Sequence, residues 1–467
     1  MVFSSLEFLF LYFAAVLFLY FFTPHRFRNI TLFLVSLIFY GWGEPRYVVL
    51  MFLTIAADYA FGLLVGKYRE SSPRRAKTWL AVAVAVNLGI LAYFKYFNFF
   101  IDTFTAVSGI SVKAIEVALP VGISFYTFQA LSYVIDVYRN DAPAQKDFIA
   151  FGTYVTLFPQ LIAGPIVRYK DVDDQLRGRT HSIALFASGV RTFMAGMAKK
   201  VLLANAAGEI WSRLSSADEL SVAAAWLGIL MYTFQIYCDF SGYSDMALGL
   251  GKMMGFSFRE NFYYPYMASS VTDFWRRWHI SLSTWFREYV YIPLGGNRCG
   301  RGRQMLNLLA VWAFTGLWHG ASWNFVLWGL YYFVLLVIEK TFLLKLFEKL
   351  PKFISHIYTL AAVVFGWWLF VFDDFSAGLT YLATMFGGGK AIGFIDAAGM
   401  LELSSAAVLL VILAVASTKY PRDLFYKLWQ KTDLMRTAAT VLCVLGFTLC
   451  VAYLVNSSFN PFLYFRF

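Results

Sequence analysis

A series of long apolar segments constrains this chain more than any other feature of its sequence. Of the 467 residues, 60% are hydrophobic and 14% are charged, whereas a typical soluble domain carries roughly 25% charged residues. A helix that crosses a bilayer core of about 30 Å needs ~20 apolar residues, and such segments recur from residues 6–22 to residues 438–455. The sequence therefore predicts an all-α, polytopic integral membrane protein, a single domain of residues 1–467 with about eleven transmembrane helices.

The net charge of +11 arises from basic residues that cluster in short loops between the apolar segments. This is the positive-inside pattern of membrane proteins, so no nucleic-acid partner is expected. Basic loops at residues 25–28, 67–77 and 419–436 are predicted to be cytoplasmic. Both termini, including the tail of residues 456–467, are then expected outside the cytoplasm. The first apolar segment has no basic n-region and no A-x-A cleavage signal, so we expect it to be retained in the membrane.

The cysteines and the absence of sequence repeats argue against several kinds of site and architecture. Cys238, Cys299, Cys443 and Cys450 form no CxxC pair, which argues against a disulfide framework and a zinc site. No bound metal and no bound cofactor is expected. No period of 20–50 residues recurs, and no two matching halves are visible, as they are in many transporters.

Residues 272–320 carry ionisable side chains in an otherwise apolar region. They include His279 and His319, two of the five histidines. Polar groups at membrane depth are costly and tend to mark function. Taken as one helix, residues 273–289 form an aromatic stripe and leave Arg276 and Arg277 to meet water, headgroups or an anionic ligand. An amphipathic helix at the membrane surface has the same pattern, so the pattern alone leaves both interpretations open.

His319 lies in an apolar stretch with glycines on both sides and no acidic residue nearby in the sequence. Three roles are compatible with this setting. It could be a structural histidine, a ligand in a two-histidine metal site, or a neutral base with a pKa near ~6.5 that removes a proton from a hydroxyl. Low dielectric disfavours the imidazolium and would keep such a base neutral.

Two further stretches are polar or broken inside apolar regions. Asp239 and Asp245 interrupt one of them, and pairing with arginines is the expected structural role for these carboxylates. Residues 158–166 contain two prolines and a glycine, which predicts a broken helix lining a cavity.

Motifs in a fixed order carry a family resemblance. They are residues 1–5 (MVFSS), 120–126 (PVGISFY), 161–165 (LIAGP), 239–245 (DFSGYSD), 274–281 (FWRRWHIS) and 317–320 (LWHG). In this order they resemble the membrane-bound O-acyltransferase superfamily, in its bacterial branch typified by the membrane subunit of alginate O-acetylation. The resemblance covers nearly the whole chain. It implies a ring of tilted helices, with re-entrant or interfacial helices, around a central chamber in a bacterial inner membrane.

The resemblance also implies roles for individual residues. His319 matches the signature histidine, the expected general base, and His279 matches the second histidine of this branch. Residues expected to contact substrates are Arg276, Arg277, Trp318, Asp239 and Asp245. Acetyl-CoA is the expected donor, a polysaccharide the expected acceptor, and an extracytoplasmic SGNH-hydrolase-like acetyltransferase the expected partner, in a protein surrounded by membrane lipids.

The last six residues, 462–467, fit the pattern Phe-x-Tyr-x-x-Phe. The pattern resembles the acyl-shuttle motif of the related D-alanylation system, which implies that Tyr464 carries the acyl group transiently. A tyrosine hydroxyl has a pKa of ~10, near the ~8.5 of a thiol, so phenol leaves more readily than a sugar alcohol does. An aromatic interfacial anchor with one basic residue is the plainer interpretation of the same six residues.

Two other functions remain open. The acceptor could be a lipid or a protein instead of a glycan, or the chain could be a non-catalytic transporter. The transporter shares the apolar composition and the buried polar residues. Missing repeat symmetry and few acidic residues within the apolar segments argue against it.

Overall fold

The computed structural model describes residues 1–113, 118–457 and 459–463, and this part of the chain is helical. The described residues contain no β-sheet. They form one isolated β-bridge, between Leu220 and Ala391. The predicted all-α class is confirmed. Tyr464, and with it the proposed shuttle position, lies outside the described residues.

The α-helices follow one another along the chain. In order they are α1 (Phe13–Phe22), α2 (Arg28–Gly43), α3 (Val48–Ser71), α4 (Pro73–Leu91), α5 (Phe97–Ser108), α6 (Ile123–Arg139), α7 (Phe148–Thr156), α8 (Phe158–Leu161), α9 (Tyr169–Arg177), α10 (Ile183–Ala198), α11 (Asn205–Ser215), α12 (Val222–Met253), α13 (Val271–Arg277), α14 (Ile280–Phe286), α15 (Arg301–His319), α16 (Trp323–Ile338), α17 (Leu344–Phe347), α18 (Lys352–Val371), α19 (Phe375–Met385), α20 (Ala397–Ala416), α21 (Tyr420–Trp429) and α22 (Asp433–Asn456). Short π-helical segments occur at Glu7–Tyr12, Ala92–Tyr96, Lys199–Ala204, Arg287–Tyr291 and Glu339–Leu343, and 3-10 turns at His25–Phe27 and Pro265–Met267.

Seven helical segments of the described chain are long and apolar enough to cross a membrane. They are Val48–Ser71, Pro73–Ser108, Val222–Met253, Trp323–Phe347, Lys352–Val371, Ala397–Ala416 and Asp433–Asn456, and Glu7–Phe22 is a shorter apolar helix. In α20 and α22 most apolar side chains are exposed, which is typical of helices that face lipid. The structure is that of an integral membrane protein, and the total of about eleven transmembrane helices stays a prediction.

The first of two compact units comprises residues 1–193 and 246–260. It contains the predicted break in residues 158–166, because α8 ends at Leu161 and the chain turns at residues 162–164. Gly122, at the start of α6, has a positive φ of 77°, and a Cβ there would lie 2.9 Å from the carbonyl oxygen of Leu161. The glycine therefore allows the close approach of these two backbone segments.

The second unit comprises residues 194–245 and 261–467 and contains the polar stretch 272–320. Its core is rich in large aromatic side chains, of which Trp328, Trp367 and Tyr332 are fully buried. The expectation of a single domain stays a prediction.

Candidate active site

His319 is the last residue of α15, and Gly320 ends the helix with an extended backbone. Its side chain is buried and meets the rings of Trp318, Trp328 and Phe370 edge to face, with centroid distances of 5.1, 5.0 and 5.4 Å. Aromatic walls of this kind fix the orientation of an imidazole and lower the local dielectric.

The glycines around His319 allow α15 and α16 to pack closely. A Cβ at Gly316 would lie 2.4 Å from the carbonyl oxygen of Phe325, and a Cβ at Gly329 would lie 2.4 Å from that of Trp312. A Cβ at Gly320 would lie 2.2 Å from the Phe325 ring. These glycines therefore allow a close approach of the two helices, and this approach sets the height of His319 beside α16.

His319 lines a small, mostly apolar cavity of about 20 Å³. A cavity of this volume holds roughly one water molecule. Its walls are Ile236, Asp239, Phe240, Trp278, His319, Trp328, Trp367, Phe370, Phe462 and Leu463. The cavity therefore joins the histidine from α15, an aspartate from α12 and the end of the described chain.

His279 lies at a break that the sequence did not predict. The single helix expected over residues 273–289 is wrong, because α13 ends at Arg277 and α14 begins at Ile280. His279 stands between them with a left-handed backbone, φ 45° and ψ 54°. This conformation is strained for a residue other than Gly, Asn or Asp, and such strain is often found at functional sites.

Asn261 holds this break in place. Its backbone carbonyl accepts a hydrogen bond from Ile280 N at 2.9 Å, and its Oδ1 accepts from Ser281 N at 3.0 Å and from Ser281 Oγ at 2.8 Å. His279 Nδ1 lies 3.3 Å from the same Oδ1. Since Oδ1 can only accept, the neutral imidazole carries its proton on Nδ1 and leaves Nε2 as an acceptor.

Both histidines meet the ring of Trp318. The centroid distance from Trp318 is 5.8 Å to His279 and 5.1 Å to His319. His279 also meets the cavity-lining Phe240 edge to face at 4.7 Å, but it does not itself line the cavity. Burial lowers the pKa of His279 to about 3, so the imidazole is neutral near pH 7. Its Nε2 has no hydrogen-bond partner among the described residues.

Asp239 and Asp245 pair with lysines and not with the arginines that the sequence suggested. Asp239 lies 2.8 Å from Lys200 Nζ, and Asp245 lies 2.6 Å from Lys199 Nζ. Gly242, between the two aspartates, is close to the lysine-bearing segment, because a Cβ there would lie 2.7 Å from Gly196 O and 3.1 Å from Lys200 N. The spacing of the 239–245 motif therefore matches two carboxylates to two adjacent lysines. The lysines were missed, although a pair of lysines within an apolar segment is itself an unusual signal.

Arg276 and Arg277 do not line the His319 cavity. Arg276 is exposed, and Arg277 forms an ion pair with Asp273 through Nε at 2.9 Å. Arg277 and Asp273 instead line a separate cavity of about 640 Å³, together with residues of α12, α18 and α20. The two arginines therefore lie away from the cavity that His319 lines.

A buried carboxylate that sequence reasoning missed sets the start of α13. Glu339 accepts hydrogen bonds from Val271 N at 2.6 Å, from Thr272 N at 2.8 Å and from Thr272 Oγ1 at 2.6 Å. An anion at a helix N-terminus satisfies free N–H groups and the helix dipole. Glu339 thereby ties the helix that precedes His279 to the segment that follows α16.

The described end of the chain binds inside the second unit. Phe462 stacks on Tyr243 with a centroid distance of 4.5 Å, and Leu463 N donates to Asp239 Oδ2 at 2.9 Å. Both residues are buried and line the His319 cavity. Among the described residues, no group of three or more His, Cys, Asp or Glu side chains could hold a metal ion.

These features define an integral membrane protein with a buried histidine at a helix end, inside an aromatic cavity. The family model of the membrane-bound O-acyltransferase family matches residues 142–380, about half of the chain. A protein of Azotobacter vinelandii named probable alginate O-acetylase AlgI is 38% identical over the full length of both chains. The peptidoglycan O-acetyltransferase of Helicobacter pylori is 32% identical over 77% of this chain and 74% of its own. The teichoic acid D-alanyltransferase of Bacillus subtilis is 26% identical over 53% of this chain and 68% of its own.

The chain belongs to the membrane-bound O-acyltransferase family, and it is an acyltransferase. The family resemblance drawn from the ordered motifs is thus confirmed. The matched residues 142–380 include Asp239, His279 and His319.

Proposed function

We propose that this acyltransferase moves an acetyl group from acetyl-CoA, on the cytoplasmic side, to hydroxyl groups of a polysaccharide or cell-wall glycan outside, with Tyr464 as the transient carrier. One observation carries the proposal. Phe462 and Leu463, which directly precede Tyr464, line the same cavity as His319. Relatives named for alginate and peptidoglycan O-acetylation support the acetyl group and the glycan acceptor.

The transfer consists of two balanced steps. In the first, the Tyr464 oxygen bonds to the thioester carbonyl carbon, the C–S bond breaks, and the phenolic proton passes through His319 to the leaving thiolate. In the second, the oxygen of an acceptor hydroxyl bonds to the acetyl carbon, the bond to the Tyr464 oxygen breaks, and the proton of the acceptor hydroxyl passes to the phenolate. A covalent intermediate divides one difficult transfer into two easier ones.

His319 is the proposed base because it lines the cavity and is buried among aromatic rings. A positioned base of this kind contributes about 10²–10⁴-fold in rate. His279 is the proposed assistant. Its neutral Nε2 is an acceptor without a partner among the described residues, and its ring meets the same Trp318 ring that His319 meets.

Some of the other candidate substrate-contacting residues lie at the His319 cavity, and others lie away from it. Trp318 is proposed to orient both imidazoles through its ring. Asp239 lines the cavity, whereas Asp245 is proposed to act through Lys199. Arg276 and Arg277 are proposed to meet an anionic part of the donor or a lipid headgroup away from the cavity.

The remaining parts of the proposal concern location. The chain would lie in a bacterial inner membrane with both termini extracytoplasmic, and an SGNH-hydrolase-like acetyltransferase would receive the acetyl group there. In that case the hydroxyl that takes acetyl from Tyr464 is a serine of the partner, which passes it on to the glycan.

The test uses purified full-length protein in lipid vesicles with acetyl-CoA labelled in the acetyl group. We expect label on the chain when no acceptor is present, released by hydroxylamine as an ester is. Tyr464→Phe should abolish this label, whereas Tyr453→Phe, which removes the hydroxyl of an exposed tyrosine on α22, should retain it. Unchanged labelling of Tyr464→Phe would overturn the carrier role.

The same vesicles separate the alternative functions when a glycan acceptor and candidate partner are added. Acetyl esters recovered on the glycan support the proposal. Label recovered only in lipid or in an added protein would show that the acceptor is a lipid or a protein and not a glycan. Acetyl-CoA or another solute crossing the membrane without any ester would indicate a transporter.

A further inference from the structure

Two hydrogen bonds hold the backbone of the described tail, residues 459–463. Lys200 Nζ donates a hydrogen bond to the carbonyl oxygen of Pro461, and Asp239 Oδ2 accepts from Leu463 N at 2.9 Å. Asn205 Nδ2 lies 3.2 Å from Asn460 Oδ1. Contacts to main-chain atoms fix the register of an extended segment whatever its side chains are.

The ion pair between Lys200 and Asp239 is complete only with the tail in place. Both side chains are buried, with 3% and 2% of their surface exposed. Lys200 Nζ lies 2.8 Å from Asp239 Oδ1 and donates hydrogen bonds to Asn205 Oδ1 at 2.9 Å and to the Pro461 carbonyl. The tail therefore supplies a hydrogen-bond acceptor to a buried ammonium group, which can donate three. Without the tail, a buried ammonium hydrogen and a buried carboxylate oxygen would each lose a partner, which is costly.

Side chains of the tail fit the same surface. Phe462 stacks on Tyr243 at an interplanar angle of 25°. Phe459 lies beside Gly208, where a Cβ would come within 3.2 Å of the Phe459 ring. Pro461 has no N–H, so the segment presents no unsatisfied donor at the position where its carbonyl binds Lys200.

We propose that Lys200 and Asp239 form a docking site for the carboxyl-terminal tail. The pair holds residues 460–463 by their main chain and so keeps Phe462 and Leu463 at the wall of the His319 cavity. This inference rests on the proposed carrier function of Tyr464. Lys200 and Asp239 are positioning residues in this scheme, because it assigns them contacts with the tail.

The neighbouring ion pair is a matched control. Lys199 and Asp245 belong to the same helical segment and the same motif as Lys200 and Asp239, and their Nζ to Oδ2 distance is 2.6 Å. Their side chains are 29% and 28% exposed, and they form this ion pair with each other. Removing either pair deletes the same charges, but only one removal affects the tail.

The experiment measures access to the tail by digesting purified full-length protein with a carboxypeptidase and determining the mass of the remaining chain. In the wild type we expect Leu463 and Phe462 to resist digestion. In Lys200→Met and Asp239→Asn we expect Leu463 and Phe462 to be removed at least tenfold faster. Lys199→Met should keep the wild-type protection.

A second variant covers the case in which the single variants do not fold. Lys200→Met/Asp239→Leu replaces the buried charges with apolar side chains, which proteins often tolerate. It should fold, as judged by its melting temperature and gel-filtration profile, and still lose protection. Unchanged protection of Leu463 in this folded variant would overturn the docking site.

Transfer rates measured on the same samples separate the two proposals. Exposure of the tail with a loss of transfer of about tenfold or more supports both, because docking raises the effective concentration of the carrier. Exposure of the tail with full transfer would retain the docking site and overturn the carrier function of Tyr464. Protection of the tail in the variants would overturn the docking site whatever the transfer rate.

Discussion

His319 and His279 meet the same tryptophan ring, yet the chain holds them in different ways. His319 ends a regular helix and lines a cavity. His279 has a left-handed backbone between two short helices, with Asn261 bonded to its neighbours and to its ring, and it lies outside the cavity wall. A side chain that reaches the cavity is suited to proton transfer. A side chain locked behind it is suited to orientation, and this difference separates the two roles.

The largest predicted effect is on the rate of acetyl transfer. We expect His319→Gln to lower the initial rate by about 10²–10⁴-fold, the usual contribution of a positioned general base. His279→Asn should lower it by about tenfold, since Asn tolerates the left-handed backbone and loses only the imidazole. The measurement is thiol release from acetyl-CoA by purified protein.

The control for this pair is the melting temperature of both variants, which should stay close to that of the wild type. Equal rate losses for the two variants would contradict the division of roles. A loss of less than tenfold for His319→Gln would remove the base assignment altogether.

A smaller effect, on the free energy of unfolding, is predicted for a substitution of Asn261, which stabilises the break between α13 and α14. Asn261→Ala removes an acceptor of Ser281 N and Ser281 Oγ, and a typical hydrogen bond contributes about 0.5–1.5 kcal/mol to stability. We expect a lower melting temperature together with a rate loss similar to that of His279→Asn. Asn456→Ala, at an exposed asparagine at the end of α22, is the control. Wild-type stability of Asn261→Ala would show that the break does not depend on this cap.

The smallest predicted effect is on the pH dependence of stability. Burial lowers the pKa of His279 to about 3 in the folded protein, whereas an unfolded histidine titrates near ~6.5. Below the unfolded value the unfolded chain binds the proton and the folded chain does not, so stability is lost as pH falls from ~6.5 toward the folded value. We therefore expect His279→Asn to lose less stability than the wild type between pH 7 and pH 5. Parallel decreases in melting temperature for the two proteins would contradict a buried neutral His279.

The class of protein could be predicted from the sequence because its signals are local. Apolar segments of membrane-spanning length, basic loops and ordered motifs require no knowledge of contacts. His319 could also be singled out from local sequence alone, because it lies between glycines in an apolar stretch. The family membership of the chain confirms the class, and the helical structure confirms the all-α fold.

Other features depended on residues far apart in the chain. The break at His279 was wrongly predicted as continuous helix, because Asn261 stabilises it from 18 residues away. Lys200 meets Asp239 and the Pro461 carbonyl across 39 and 261 residues. The hydrophobic periodicity of the sequence does not predict such pairings, because they depend on how the helices pack.

The sequence by itself therefore determined the membrane class and the helical fold, and it singled out the histidine that we propose as the base. Only the tertiary structure decided that Asp239 and Asp245 pair with adjacent lysines, that Arg276 and Arg277 lie away from the cavity, and that residues 462–463 join its wall. The physical reason is that apolar periodicity fixes which residues are buried. Which buried charges meet depends on the packing of helices that are distant in sequence.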